Sequence, residues 1–119
     1  MSKAPSKKGL EELQKMFDES NFPSCIYHLN AGKIIAANQA YLSLMNFESN
    51  NIDDRVLKVL SSFIFPQNFK ELRKLKDSYH FAQINMRALD GKQITHNAVR
   101  ILKVDEEDTY VLEHLQPID

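Results

Sequence analysis

The chain has 119 residues, 43% of them hydrophobic, and a formal net charge of −1. A single domain of that length buries roughly two thirds of the surface its unfolded chain exposes. A near-neutral charge argues against a dedicated nucleic-acid binder, which would be clearly basic. The lone cysteine, Cys25, excludes an intrachain disulfide framework and fits a reducing compartment. No apolar run approaches the ~20 residues needed to cross a bilayer, and no apolar segment follows Lys3, Lys7 and Lys8 to make a secretory signal. The expectation is a cytoplasmic domain.

Residues 1–8 are polar, contain Pro5 and read as a disordered lead-in to one domain over 9–119. A helix is predicted over 9–20, with Leu10, Leu13, Met16 and Phe17 on one face; Asn21 and Pro23 end it. Residues 24–29 and 33–37 read as strands around a turn at Asn30, Ala31 and Gly32. Asn38 stands where a helix N-cap belongs, before a helix over 39–46 with Tyr41, Leu44 and Met45 at helical spacing. Asp53 and Asp54 favour the start of a short helix carrying Val56, Leu57 and Leu60. The run Phe63, Ile64, Phe65, Pro66 is too short to assign by periodicity, and 67–76 reads as a further helix with a basic outer side.

The last third is β. Residues 79–89 alternate, with Ala82, Ile84, Met86 and Ala88 on one face. Asp90-Gly91 signals a two-residue hairpin. In the strand over 93–104, Thr95, Asn97, Val99 and Ile101 share a face, which the two-residue loop would place with Ile84 and Met86. The acidic run Asp105–Asp108 reads as a solvated loop before a final strand over 109–115. Helix, two strands, short helices and three strands make an α+β domain with an antiparallel sheet.

The stretch PSCIYHLNAGKIIAANQAYLSL, from Pro23 to Leu44, resembles the opening of a PAS domain, and the order of elements carries the resemblance from Leu10 to about Leu115. The resemblance implies a five-stranded antiparallel sheet in the order 2-1-5-4-3, short helices over one face enclosing a small cavity, and an N-terminal flanking helix. It implies a non-enzymatic sensory or signal-transduction domain within a larger regulatory protein, of the kind used in two-component systems. Such a domain relays a small-molecule or redox signal or mediates protein–protein contacts. The alternative is a pure dimerisation module whose cavity is filled by its own side chains. Members often end the last strand with Asp-Ile-Thr, which anchors the linker to an effector; here the segment from Glu113 reads EHLQPID, without that motif.

For the cavity, Tyr41, Met45, Phe63, Phe69 and Leu72 are the expected helical wall. Ile84, Met86, Val99 and Ile101 are the expected floor, and Tyr27, Thr95 and Asn97 its polar groups. With Arg100 on the opposite parity from Val99 and Ile101, the expected ligand is small and neutral rather than a dicarboxylate, which would want a guanidinium fork. A homodimer is expected through Leu10, Leu13 and Phe17, unless that stripe caps its own sheet.

Cofactor chemistry finds little support. His28, His80, His96 and His114 form no HxH or HExxH pair. Light-sensing flavin members place a reactive cysteine in G-x-N-C-R-F-L-Q; the matching region here, NIDDRVLKVLSSFIFPQNF, has none, and Cys25 reads as a small buried hydrophobe. Haem-binding members carry a histidine on the helix before the third strand; QNFKELRKLK has none. A flavin without cysteine wants a nearby tryptophan, and the chain contains none. The DEED run lacks the ligand spacing of a calcium loop. No phosphate-cradling glycine motif, nucleophile elbow or acid/base pair emerges, so no metal or catalytic residue is assigned.

Overall fold

The computed structural model describes residues 8–118. The expected disordered lead-in therefore lies, apart from Lys8, outside the described residues. Helix α1 (Lys8–Asp18) leads into strands β1 (Ser24–His28) and β2 (Lys33–Ala37), helix α2 (Gln39–Leu44) and helix α3 (Asp54–Arg73). Strands β3 (Tyr79–Arg87), β4 (Gln93–Asp105) and β5 (Asp108–Pro117) follow. The sheet is fully antiparallel in the order β2-β1-β5-β4-β3. That is the architecture expected from the resemblance.

Local chemistry sets the helix starts. Asn38 accepts from the Tyr41 N–H at 2.9 Å and caps α2; its Oδ1 also accepts from the Ser24 N–H at 3.0 Å, tying α2 to β1. Asp53 caps α3 by accepting from the Val56 N–H at 3.0 Å. The two helices expected between residues 53 and 76 are one, with Pro66 inside it. Proline removes one helical hydrogen bond and costs a few kcal/mol in an isolated helix. Here Leu60, Ile64, Phe65, Asn68 and Leu72 form one buried stripe on both sides of Pro66, and that packing overrides the local preference.

The β3–β4 hairpin differs from the two-residue loop read in the sequence. Ala88 N–H donates to Lys92 O at 2.9 Å, so Leu89, Asp90 and Gly91 form a three-residue loop, with Gly91 at φ +86°. A type I turn closed by a glycine in the left-handed region is the usual three-residue solution. The extra residue shifts the register by one: Ile84 faces His96, and Met86 faces Ile94. A one-residue shift sends every side chain of a strand to the other face. Ile94, His96, Ala98 and Arg100 therefore share the inner, helix-covered face with Ile84 and Met86. Thr95, Asn97, Val99 and Ile101 lie on the outer face, contrary to expectation. The acidic run is tighter than a loop: Asp105 pairs with Asp108, and Glu106, at φ +56°, turns the chain.

Two apolar layers result. The inner one joins Cys25, Tyr27, Ile34, Tyr41, Met45, Leu60, Ile64, Leu72, Val111 and Leu115. The outer one joins Leu10 and Leu13 of α1 to Ile26, Ile101, Tyr110 and Leu112. Helix α1 is fastened at both ends. Asp105 accepts from the Gly9 and Leu10 N–H groups, each at 2.8 Å, supplying a cap from across the chain. A Cβ on Gly9 would lie 2.8 Å from Asp105 Oδ1 and 2.9 Å from Lys103 Cβ, so the close approach needs glycine. Beyond the other end, Ser20 joins Ser24 and His114 at 2.9 and 3.0 Å.

Leu10 and Leu13 thus cap their own sheet and are not free to meet a second copy while α1 is docked, whereas Phe17 is half-buried. Leu13 is completely buried. Leu13→Ala should therefore lower unfolding stability by about 2–5 kcal/mol in a urea titration, a cavity effect rather than loss of a dimer contact.

Candidate functional site

Between the inner face of the sheet and α3 lies a polar cluster inside the apolar core. Arg100 and Glu113 face each other across β4 and β5, and both side chains have no solvent exposure. Arg100 Nε donates to Glu113 Oε2 at 2.8 Å. Its Nη1 donates to Glu71 Oε2 on α3 at 3.2 Å and lies 3.4 Å from His80 Nδ1 on β3. The other oxygen of Glu113 accepts from the Tyr27 hydroxyl at 3.2 Å and from the Cys25 thiol at 3.9 Å. Asn68 of α3 donates to the Tyr27 oxygen at 2.9 Å. Four strands and α3 thus meet at one ion pair.

Burial sets the protonation states. It would lower the Arg100 pKa, but the attraction and hydrogen bond of Glu113 outweigh it, and the guanidinium is held charged. Burial, reinforced by Glu113, pushes the Cys25 thiol well above its usual range. It does the same to the Tyr27 and Tyr41 phenols, where the proximity of Cys25 is the next largest cause and Glu113 follows. Cys25 is therefore a thiol and not a nucleophilic thiolate.

The hydrogen bonding is incomplete. Among the described residues, Arg100 Nη2, Tyr41 Oη and His96 Nδ1 are buried without a well-formed hydrogen bond, although Tyr41 Oη lies close to the Tyr27 and Cys25 side chains. Unpaired groups of this kind are costly in a core. The His28 ring is remote from these groups, 3.0 Å from Asp108 and stacked on Tyr110 at 4.6 Å. Among the described residues no group of three His, Cys, Asp or Glu side chains could hold a metal ion.

Of the residues expected around a cavity, Tyr27, Tyr41, Met45, Leu72, Ile84 and Met86 come together on the inner side, all buried. Phe63 and Phe69 are over one third exposed on α3; Phe69 packs on Phe65 at 5.4 Å and lies under Arg73 at 5.2 Å. Phe63 instead borders an open groove with Gln67, Asn85, Met86, Arg87 and Gln93. Thr95, Asn97, Val99 and Ile101 are across the sheet: Thr95 donates to Asn85 at 2.7 Å, and Ile101 packs under α1. Sequence reasoning missed Arg100, Glu113, Asn68 and Glu71. A signal existed in β5, where Glu113 falls between Val111 and Leu115 on an apolar stripe. A charge in that position demands a buried partner of opposite sign.

No family model matches the sequence, and no curated protein is detectably similar to it. Solved structures are. A PAS domain from a two-component sensor histidine kinase superposes with TM-score 0.61 over 90% of this chain and 94% of its own, at 10% identity. The PAS domain of an HTR-like protein from Haloarcula marismortui gives 0.60 over 95% and 100%, at 13% identity. A LOV protein from Rhodobacter sphaeroides gives 0.54 over 95% of this chain and 69% of its own, at 11% identity. The chain has the PAS fold.

Two outcomes follow from the cluster. Glu113→Gln leaves the Arg100 charge buried without its principal partner and should cost about 3–5 kcal/mol of unfolding free energy. Arg100→Met combined with Glu113→Leu, which removes both charges, should recover most of that loss in the same denaturant titration. Burial also lowers the pKa of His96 and of His114 below the ordinary 6.5. The folded protein favours the neutral rings, while the unfolded chain takes up protons near the ordinary value. Stability should therefore be full above that value and fall as pH drops below it, read as a lower urea midpoint at about pH 5.5 than at about pH 7.5.

Proposed function

We propose that this domain is a non-enzymatic sensory and signal-relay module of a larger regulatory protein, reading a small molecule in the space between the sheet and α3. The observation that carries this reading is the unused hydrogen-bonding capacity of Arg100 Nη2 and Tyr41 Oη inside an otherwise apolar layer. A ligand there would present an acceptor to the guanidinium. Glu113 and Glu71 already balance the Arg100 charge, so the complement is a neutral molecule with a carbonyl or similar acceptor, not a dicarboxylate. The neutral ligand expected from the sequence is retained, for a different physical reason. The PAS fold and the buried, protonated state of Cys25, Tyr27 and Tyr41 support a binding role over a chemical one. They also disfavour Cys25 as a reader of redox state.

One observation favours the alternative, an interaction module with a filled interior. Tyr27, Tyr41, Met45, Leu60, Ile64 and Leu72 are all fully buried and leave the inner layer densely packed.

Mass spectrometry of protein purified without denaturation separates the two. The sensory reading expects a bound small neutral molecule, released on acidification, whose re-addition raises the melting temperature. Tyr41→Phe should leave the fold close to wild-type stability, because the lost hydroxyl makes no well-formed hydrogen bond. It should weaken binding of that molecule by about tenfold, one hydrogen bond's worth. Protein that carries nothing and melts identically with metabolite mixtures would favour the filled module.

A further inference from the structure

Strand β3 is an edge of the sheet, and its outer side is open. Because the Arg87 N–H and C=O both turn away from β4, to bond with Gln67, the odd-numbered residues of β3 direct their backbone groups outward. Ala88 and Ser78, on the even parity, bond to Lys92 and Leu102 instead. Tyr79, Phe81, Gln83 and Asn85 thus offer a row of donors and acceptors with no partner among the described residues. Their side chains are exposed, Tyr79 by 61% and Phe81 by 72%. Sheet edges are usually guarded by lysine, proline, an inward charge or a bulge. From Ser78 to Met86 this edge has no proline and no Asp, Glu, Lys or Arg, and β3 pairs with β4 without a bulge.

We propose that β3 pairs antiparallel with β3 of a second copy of this chain, about a two-fold axis at Ala82, joining two sheets into one. Charge complementarity selects this occupant and this register. The uncharged run is bounded by Asp77 on one side and Arg87 on the other. Pairing about Ala82 sets Tyr79 opposite Asn85 of the second copy and Phe81 opposite its Gln83. The same register brings Arg87 to the end where the second copy's Asp77, in the bend just before its β3, supplies the opposite charge. Every outward-facing pair is of the type that exchanges two backbone bonds, about eight in all. The two Phe81 rings become diagonal neighbours, roughly 7–8 Å apart at the backbone and within reach of each other. Beside them lies an open outer-face groove of about 550 Å³ lined by Phe81, Gln83, Asn97, Val99 and Gln116. Gln67 closes the edge at Arg87, so the pairing ends where the clamp begins. This interface leaves α1 docked and does not depend on a ligand.

Sedimentation velocity tests it. The wild type should form a reversible dimer. Gln83→Pro removes one outward N–H while leaving the β3–β4 ladder intact, because an edge strand tolerates proline on its open side. It should weaken the dimer at least tenfold, as should Phe81→Lys, with circular dichroism spectra unchanged. Arg87→Asp alone should weaken it too, and Arg87→Asp with Asp77→Arg should restore it. A wild type that stays monomeric at millimolar concentration overturns the proposal. So does a dimer indifferent to Gln83→Pro and Phe81→Lys, which would place the interface elsewhere. Loss by those variants without rescue by the charge swap overturns the Ala82 register. Binding of an unrelated extended peptide to the edge, with no dimer, would assign the edge to a different partner.

Discussion

The buried Arg100–Glu113 pair is the constraint on which the rest of the structure depends. A lone guanidinium or carboxylate at that depth would be destabilised by loss of water, and the pair is tolerable only with good geometry and further hydrogen bonds. Those bonds come from separate parts of the chain. Tyr27 and Cys25 reach Glu113 from β1, Glu71 reaches Arg100 from α3, and Asn68 holds the Tyr27 hydroxyl. Apolar packing alone would tolerate small slips between layers. Directional bonds converging on two groups of opposite charge do not, so the pair specifies the register of β4 on β5 and the height of α3 over the sheet.

Much of the fold was legible in the sequence because its punctuation is chemical. Asn38 as a cap, Gly32 at φ +65° and the alternation of β3 lead directly to the observed elements. What was not legible turned on single residues. Asp90-Gly91 supports a two-residue loop and a three-residue loop ending in glycine about equally well. The choice is made by tertiary contacts: Leu89 N–H donates to Met45 O at 3.0 Å, and Asn46 donates to Asp90 at 3.0 Å. Those contacts hold the loop against the end of α2, and the longer loop sends Arg100 inward and Val99 outward. Half of the expected cavity floor was misplaced by that one residue. The unassigned run from Phe63 to Pro66 has the same origin: too short to read by itself, it belongs to a buried stripe of α3 that only the folded sheet completes.

The role of α1 illustrates what amphipathicity leaves open. Its apolar stripe is plain in the sequence, yet a stripe does not say which surface it meets. The decision lies in polar contacts at its ends. Asp105 supplies a cap to its first turn, and Lys103 pairs with Glu12 at 3.1 Å. Because these partners sit on the β4–β5 hairpin, α1 lies over β1, β5 and β4 and leaves β3 bare.

Interior and edge are joined by one turn of helix. Helix α3 lies across the sheet from one edge to the other: Ser61 accepts from the Ile34 N–H of β2 at 2.8 Å, and Gln67 brackets Arg87 of β3 at 2.7 and 3.1 Å. The next residue, Asn68, enters the buried cluster, and Glu71 follows one turn later. Gln67, Asn68 and Glu71 thus stand on one helical turn, the first at the rim and the others around the ion pair. The Gln67 clamp closes the end of the β3 edge from the same helix that contributes Asn68 and Glu71 to the buried cluster. In this molecule the packing of the core and the closing of the sheet's rim are set by one turn of α3.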